Sequence, residues 1–184
     1  MQAFEGLPLE TPRLLLRPLR AFDAEALFGI FSDPGVMRYW STPPWSSLES
    51  ARELIERDLH ATARDNLRLG IERRDDGALI GTCSLYAINE TCRRAEVGYA
   101  LGSAAWGEGY MSEALAALLD YGFTVLNLNR VEADIDPRNE ASARSLQRCG
   151  FTQEGLLRER WIVGEEVSDT AFYGLLQREW RARP

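Results

Sequence analysis

The stretch that decides the fold lies just past the middle of the chain and reads Val97-Gly98-Tyr99-Ala100-Leu101-Gly102-Ser103-Ala104-Ala105-Trp106-Gly107-Glu108-Gly109-Tyr110-Met111-Ser112-Glu113-Ala114. It starts as a strand, passes through glycines and enters a helix. The N–H groups and the positive dipole end at a helix start attract phosphate groups. Because Gly107 and Gly109 carry no Cβ, the backbone can approach such a ligand closely. The stretch therefore predicts a phosphate or pyrophosphate site, with a tight turn without a ligand as the alternative.

A dinucleotide-binding fold is a second alternative for this glycine pattern. That fold requires a third glycine at a fixed spacing and an acidic residue that closes a following strand. The sequence has neither in the expected place. The glycine pattern therefore disfavours a dinucleotide-binding fold, and a phosphate site in another fold and a tight turn without a ligand both stay open.

The flanking sequence alternates between strand and helix patterns. Apolar runs and apolar–polar alternation predict strands at residues 13–19, 67–73, 79–87, 94–101, 130–135, 156–163 and 167–176. Apolar residues at helical spacing predict helices at residues 23–32, 48–63, 111–125 and 139–149. The strand–helix–strand step from 94 to 135 favours a parallel pair. The predicted fold class is mixed α/β, with a mostly antiparallel central sheet of about seven strands.

Composition and charge exclude several functions. The 184 residues include 28 acidic and 21 basic side chains, which gives a net charge of −7. With 45% hydrophobic residues, the chain has the composition of one packed domain, which we assign to residues 1–184. Because the acidic chain has no basic block, we expect no nucleic-acid partner. The acidity fits either plain solubility or a preference for cationic partners.

Single residue types exclude further classes. All basic residues are Arg, which excludes a Walker-type phosphate loop and Schiff-base chemistry on Lys. His60 is the only histidine, so a zinc site with a His pair cannot form, and we expect no metal. Three scattered cysteines indicate a reducing compartment. The N-terminal residues do not fit a signal peptide and no apolar run reaches the ~18 residues of a membrane span, so we expect a cytoplasmic protein with no membrane partner.

A second informative segment follows the strand at 130–135 and reads Asp136-Pro137-Arg138-Asn139-Glu140-Ala141-Ser142-Ala143-Arg144-Ser145-Leu146-Gln147-Arg148-Cys149-Gly150-Phe151. Residues 106–114, the Asn139-x-x-Ser142 spacing and Cys149-Gly150-Phe151 resemble the GNAT superfamily of acetyl-CoA-dependent N-acetyltransferases. The opening Leu9-Glu10-Thr11-Pro12-Arg13-Leu14-Leu15-Leu16-Arg17 and the closing Asp169-Thr170-x-x-Tyr173-x-Leu175-Leu176 resemble its RimJ/RimL branch, named for N-terminal acetylation of ribosomal proteins. The resemblance covers residues 9–177, which we take as the core of the domain.

The resemblance implies the GNAT fold, with helices on both faces of the sheet and a splayed parallel pair formed by the strands at 94–101 and 130–135. Acetyl-CoA, the implied co-substrate, would bind in the gap, because pantetheine amides can pair with free backbone groups as an extra strand. The pyrophosphate would then meet the helix start. The implied cofactor-binding residues are Tyr99, Ala100, Leu101, Trp106, Gly107, Glu108, Gly109, Tyr110, Met111, Ser112, Asn139 and Ser142.

One position departs from the family's loop pattern. The family has Gln or Arg three residues before the first glycine, and this chain has Ala104 there. We therefore expect backbone amides to carry most of the phosphate binding, with help from Arg144.

The resemblance also implies a general base. Glu96 lies where many relatives carry the carboxylate that removes a proton from the ammonium substrate. The alternative for Glu96 is a solvated strand carboxylate paired with Arg94. Glu159, on a late strand, is a second candidate for the base.

On the cofactor side, Asn139 and Ser142 match the family's Asn and Ser. Ser142 is a candidate proton donor to the sulfur, and helix capping is its alternative role. Many relatives place a general-acid Tyr seven residues after that Asn, where this chain has Leu146. The acid then falls to Ser142 or to water. Position 146 either faces the reaction or belongs to the apolar stripe of its helix.

Two functions remain at this point. The first is an N-acetyltransferase that moves acetyl from acetyl-CoA to a primary amine by direct attack in a ternary complex, with a protein N-terminus or a small amine as acceptor. The alternative is a non-catalytic CoA-binding sensor or interaction module. The aromatic loop at 39–45 either covers the core or lines an acceptor pocket. A homodimer is one assembly that the sequence leaves open.

Overall fold

Eight strands form a mixed sheet at the centre of the computed structural model, which describes residues 4–60 and 65–182. The strands are β1 (Leu9–Glu10), β2 (Leu14–Arg17), β3 (Asn66–Arg73), β4 (Leu79–Asn89), β5 (Arg94–Leu101), β6 (Arg130–Ile135), β7 (Thr152–Val163) and β8 (Glu166–Leu176). The helices are α1 (Ala24–Phe31), α2 (Pro34–Met37), α3 (Leu48–His60), α4 (Tyr110–Thr124), α5 (Glu140–Arg148) and α6 (Gln177–Arg181). Within the described residues, no helix is long and apolar enough to cross a membrane.

The sheet order is β1-β2-β3-β4-β5-β6-β8-β7. Neighbouring strands pair antiparallel except β5 and β6, which run parallel and are joined through α4. The predicted fold class, a mixed and mostly antiparallel sheet with one parallel pair, is confirmed. The strand beyond the predicted seven is β1. Its two residues pair with Leu15 and Leu16 and are too few to produce a sequence pattern.

The two faces of the sheet carry separate cores. On one face, here called the α4 face, α4 and α5 bury residues such as Leu118 and Leu146. On the other, here called the α1 face, α1 and α3 bury residues such as Leu27. β5 contributes to both, because successive side chains of a strand point to opposite faces. Val97 belongs to the α4-face core and Ala100 to the α1-face core.

Several element boundaries differ from the sequence prediction, and two short helices are additional to it. β7 begins at Thr152 rather than at 156. The sequence prediction missed its first residues because they are exposed and show no apolar pattern. α2 and α6 have four and five residues, too few for a helical period to be visible. The helix predicted at 48–63 matches α3 up to His60, and the remainder of that prediction lies outside the described residues.

β5 and β6 separate after three paired positions. The pairs are Arg94 with Arg130, Ala95 with Val131 and Glu96 with Glu132. β5 then continues to Leu101 beside β4, and β6 continues to Ile135 beside β8. The two strands therefore open into a gap, which we call the splayed gap, between their C-terminal halves.

Candidate active site

The edge of β5 that faces the splayed gap offers unpaired backbone groups. The N–H of Gly102 donates to the carbonyl of Ile80 on the β4 side at 2.9 Å. Because hydrogen bonding alternates along a strand, Ala100 also points to β4, whereas Tyr99 and Leu101 point into the gap. The Leu101 carbonyl accepts a hydrogen bond from the Trp106 indole at 2.7 Å. Among the described residues, Tyr99 and the Leu101 N–H have no strand partner on this side.

The loop after β5 ends in two glycines with left-handed backbone conformations. Gly107 has φ of 83° and Gly109 has φ of 79°, and Gly109 is the N-cap of α4. L-residues with a Cβ adopt such angles at a cost, which explains the glycines. The first N–H groups of α4 have no acceptor inside the helix. The predicted loop residues from Trp106 to Ser112 therefore present backbone donors at a positive helix end.

A cation absent from the sequence prediction lies against this loop. Arg13 donates to the carbonyl of Glu108 at 2.9 Å and to the carboxylate of Glu113 at 2.7 Å, and its guanidinium lies 4.6 Å from the Tyr110 ring centroid. A Cβ built on Gly109 would lie 3.6 Å from its Nη2. Arg13 thus supplies a cation beside Glu108 and Gly109, in a loop whose own position 104 supplies none.

The carboxylate that holds Arg13 is stabilised as an anion. Burial raises the pKa of Glu113, but hydrogen bonds from Thr11 and Arg13 outweigh it, so the pKa lies below its usual value. The other predicted cation, Arg144, pairs with Glu140 at 3.1 Å on an exposed surface of α5. The sequence analysis did not predict this role for Arg13, because the residue lies at the start of a strand pattern, 95 residues before Glu108.

Tyr99, Asn139 and Ser142 meet on the α4 face. The Tyr99 hydroxyl lies 2.6 Å from the Ser142 hydroxyl. The Asn139 side chain caps α5 by accepting from the Ser142 N–H at 3.1 Å. Burial above all raises the pKa of Tyr99 well above its usual range, against the effect of the Ser142 hydrogen bond. Tyr99 therefore carries its proton at neutral pH.

Position 146 does not face this hydroxyl pair. Leu146 is fully buried in the α4-face core. The idea that position 146 faces the reaction is therefore wrong, and the core alternative is confirmed. The hydroxyl of Tyr99, on β5, instead reaches the first turn of the same helix. Because Tyr99 lies in a strand and Ser142 in a helix, no spacing within one element predicts that their hydroxyls meet.

Glu96 lies on the α1 face of the gap, where the two strands separate. The carboxylate in register with it, Glu132, is bound by Arg94 and Arg130. Arg94 therefore pairs with Glu132 rather than with Glu96, and among the described residues Glu96 has no ion-pair partner. Tyr86 on β4 lies beside it. Burial, and then the charge of Glu96 and its hydrogen bond, raise the pKa of Tyr86 above its usual range.

Glu159, the second candidate for the base, lies in a different setting. It is exposed on the edge strand β7, three positions from β5 in the sheet order. Its φ is 51°, and its N–H donates to Asp169 at 2.8 Å. Glu96 borders the splayed gap directly, whereas Glu159 does not belong to either strand of the gap.

Two tryptophans of the aromatic loop at 39–45 cover the core, the first of the two roles considered for it. Trp40 and Trp45 pack on Phe31 with ring centroids 5.3 and 4.7 Å apart and cover the α1-face core. Tyr39 instead lies between two guanidinium groups, with Arg38 at 5.2 Å and Arg138 at 5.8 Å from its ring centroid. The tryptophans are therefore structural, and Tyr39 faces the segment that precedes α5.

No metal site accompanies these groups in the part of the chain that the structure describes, where no three His, Cys, Asp or Glu side chains cluster. The splayed gap and the glycine loop together fit a long ligand that has amides at one end and phosphates at the other. The free groups of Tyr99 and Leu101 suit amides, and the start of α4 suits phosphates.

Comparisons with known proteins agree with this geometry. Residues 13–152 match the family model described as the acetyltransferase (GNAT) domain. The chain is 40% identical over 174 residues to the uncharacterized N-acetyltransferase p20 of Bacillus licheniformis, covering 94% of this chain and 97% of that one. It is 34% identical over 135 residues to the putative ribosomal N-acetyltransferase YdaF of Bacillus subtilis (strain 168), covering 73% and 74%. The crystal structure of spermidine N-acetyltransferase from Vibrio cholerae in complex with CoA and spermine matches with a TM-score of 0.83 at 26% identity, covering 93% of this chain and 99% of that one.

These matches confirm the predicted superfamily, and the names of the relatives do not single out the RimJ/RimL branch. The chain belongs to the GNAT acetyltransferase family, and its co-substrate is acetyl-CoA.

Proposed function

We propose that this protein acetylates a primary amine that reaches the splayed gap from the α1 face, while CoA lies in the gap. The observation that carries the proposal is the placement of two groups on opposite faces of the gap. One is Glu96, a carboxylate that forms no ion pair with any residue the structure describes, and the other is the hydroxyl pair of Tyr99 and Ser142. Acetyl-CoA supplies the acetyl group as an activated thioester.

Backbone groups and one cation hold the co-substrate in this proposal. The unpaired groups of Tyr99 and Leu101 bind the pantetheine amides, and the N–H groups from Trp106 to Ser112 bind the pyrophosphate. Arg13 adds positive charge beside Gly109. Because Glu113 already neutralises much of that charge, the backbone donors carry most of the phosphate binding.

Glu96 prepares the amine. An ammonium group must lose a proton before its nitrogen can attack, and a carboxylate beside it can accept that proton directly or through water. Neighbouring Glu132 is occupied by two guanidinium groups, whereas no guanidinium of the described residues pairs with Glu96. This difference supports Glu96 as the base.

Ser142 and Tyr99 serve the leaving sulfur. The Ser142 hydroxyl donates a hydrogen bond to the sulfur as the C–S bond breaks, and the Tyr99 hydroxyl, 2.6 Å away, donates one to Ser142. The thiolate then takes its proton from water. Tyr99 is suited to this because it is protonated at neutral pH. Asn139 fixes the first turn of α5 and thereby the position of Ser142.

The family assignment does not identify the acceptor, so the acceptor is part of the proposal. Relatives are named for ribosomal proteins and for spermidine, which supports an amine acceptor of either kind, and a RimJ/RimL-type acceptor is one of them. We also propose a cytoplasmic location, which the free cysteines Cys83 and Cys92 support. A homodimer stays a prediction that size-exclusion chromatography can check.

The decisive experiment measures CoA release from acetyl-CoA with a thiol reagent against a panel of amines. The panel contains amino acids, polyamines and peptides with free N-termini. We expect release that depends on the amine and falls in Glu96→Gln. A non-catalytic CoA sensor would instead bind CoA in calorimetry and release none with any amine of the panel.

A further inference from the structure

Asp134 occupies the splayed half of β6, on the same face of the sheet as Glu96. Glu96 and Glu132 are in register across the last paired position, so their side chains point to the same face. Asp134 lies two residues beyond Glu132 and therefore shares that face. It pairs with β8 and no longer with β5. Asp134 thus lies across the gap mouth from the candidate base.

The Asp134 carboxylate is an anchor for three donors. It accepts from Arg160 Nε at 2.7 Å, from the Trp161 indole at 3.2 Å and from the Thr170 hydroxyl at 2.8 Å. Its side chain is 7% exposed. A buried carboxylate with this many partners holds them in fixed positions. Arg160 and Trp161 are therefore oriented before any ligand arrives.

A bulge in β7 brings Arg160 to this anchor. Leu157 pairs with Thr170 and Trp161 pairs with Ser168, so the three residues between Leu157 and Trp161 face one residue of β8. Within the bulge, Glu159 has φ of 51°, and its N–H is held by Asp169. Bulges of this kind redirect side chains beside functional sites. A regular β7 would not give Arg160 this direction.

Arg160 keeps its two terminal nitrogens free for a ligand. Only its Nε contacts Asp134, and no described residue accepts from Nη1 or Nη2. The side chain is 41% exposed and lies 5.6 Å from the Trp161 ring centroid. The Asp134 hydrogen bond foremost, and also the charges of Asp134 and Glu96, raise the pKa of Arg160 above its usual value.

We propose that Arg160 forms a carboxylate subsite, so that the acceptor is a primary amine that also bears a carboxylate, as a free α-amino acid does. The ammonium group lies at Glu96, and the carboxylate accepts from Nη1 and Nη2 of Arg160 in the two-pronged geometry that guanidinium favours. This inference rests on the proposed function and narrows its acceptor. A polyamine would instead bring a second positive charge to Arg160.

The test compares matched acceptors that differ by one carboxylate. Each α-amino acid is assayed beside its α-amide at saturating acetyl-CoA, and the ratio of their kcat/KM values is taken for each variant. Comparing this ratio between variants cancels the different basicity of the two amines. The variants are Arg160→Gln, Arg160→Lys and the control Arg158→Gln, which alters an exposed arginine of the same strand. A polyamine and a peptide complete the panel.

We expect the wild-type protein to favour the acid. The acid-to-amide ratio should fall at least ~10-fold in Arg160→Gln, as the loss of a charged hydrogen bond predicts, and should change little in Arg158→Gln. Arg160→Lys keeps the charge beside Asp134 and should retain part of the preference with a raised KM for the acid. Unchanged CoA affinity in calorimetry shows that a variant is folded. If Arg160→Gln does not fold, the comparison is made with Arg160→Lys.

Two results would overturn the inference. One is an acid-to-amide ratio that stays within about twofold of wild type in the folded Arg160 variants. The other is a wild-type protein that acetylates the polyamine or the peptide but no amino acid. In both cases acetyl transfer persists, so the proposed function survives. Absence of CoA release with every amine would instead reject the proposed function itself.

Discussion

The two faces of the splayed gap are built from different materials. On the α4 face, the site consists mostly of backbone N–H groups, two glycines and a helix start. These come from one continuous stretch between Tyr99 and Ser112. On the α1 face, side chains from β4, β5, β6 and β7 converge: Tyr86, Glu96, Asp134 and Arg160. A site made of contiguous backbone is visible in a sequence, whereas one made of distant side chains is not. The co-substrate could therefore be predicted and the acceptor could not.

The largest expected effect concerns the α1 face. Glu96→Gln should lower kcat at neutral pH by ~100-fold, the usual scale of general-base catalysis, while CoA affinity stays unchanged. The loss should shrink as pH rises, because a growing fraction of the amine is then already deprotonated. A pH profile of kcat for both proteins measures this. Glu90→Gln, an exposed carboxylate in the hairpin between β4 and β5, is the matched control. Activity of Glu96→Gln close to wild type at neutral pH would move the role to Glu159 or to water.

The next effect concerns the α4 face. Gly109→Asp should weaken CoA binding by ~10-fold or more, because it places a negative charge where phosphates meet the start of α4. Calorimetry with CoA measures the change. Gly109→Asn separates charge from backbone strain, and Gly77→Asp repeats the substitution at a turn glycine with φ of 71° and open space around it. Equal CoA affinity in folded Gly109→Asp and wild type would reject the phosphate site.

A third prediction tests whether position 146 belongs to the core or faces the hydroxyl pair. Leu146→Tyr should destabilise the fold by about 1–3 kcal/mol, because it overpacks a fully buried position, and should not raise the rate. Leu146→Met conserves volume and should cost less. Urea unfolding followed by circular dichroism gives both values. A faster reaction in Leu146→Tyr without loss of stability would contradict the core assignment.

The smallest effect is expected from the hydroxyl pair itself. Tyr99→Phe and Ser142→Ala should each lower kcat by well under the ~100-fold expected for Glu96→Gln, because a thiolate is a tolerable leaving group and water can replace a hydroxyl. Since the two groups form one chain of hydrogen bonds, the double variant should be little slower than either single one. Fully additive losses in kcat would show that they act separately.

The sequence predicts the parts of the molecule that depend on short-range pattern. β5 and β6 have the predicted limits, 94–101 and 130–135, and the step between them is the predicted parallel pair. The glycine loop leads into α4 as expected, and Asn139 caps α5. Each of these features follows from residues that are neighbours along the chain or lie one helical turn apart.

The remaining parts depend on contacts that no local pattern encodes. Arg13 contacts Glu108, which lies 95 residues later in the chain. Arg160 reaches Asp134 because β7 has a bulge, and the size of that bulge could not be predicted from the sequence. Tyr99 reads as a strand residue, and its hydroxyl gains a partner only when α5 packs on the α4 face. The acceptor side consists almost entirely of such contacts.

Residue-resolved amide hydrogen exchange, followed by NMR with and without CoA, tests the central claim that the splayed gap binds the co-substrate through the edge of β5. The free protein should exchange the amides of Tyr99 and Leu101 quickly, while those of Gly98 and Ala100, which point to β4, are protected. Saturating CoA should slow exchange at Tyr99 and Leu101 at least ~10-fold and leave Gly98 and Ala100 as they were. Exchange at Tyr99 and Leu101 that CoA does not change would contradict the account.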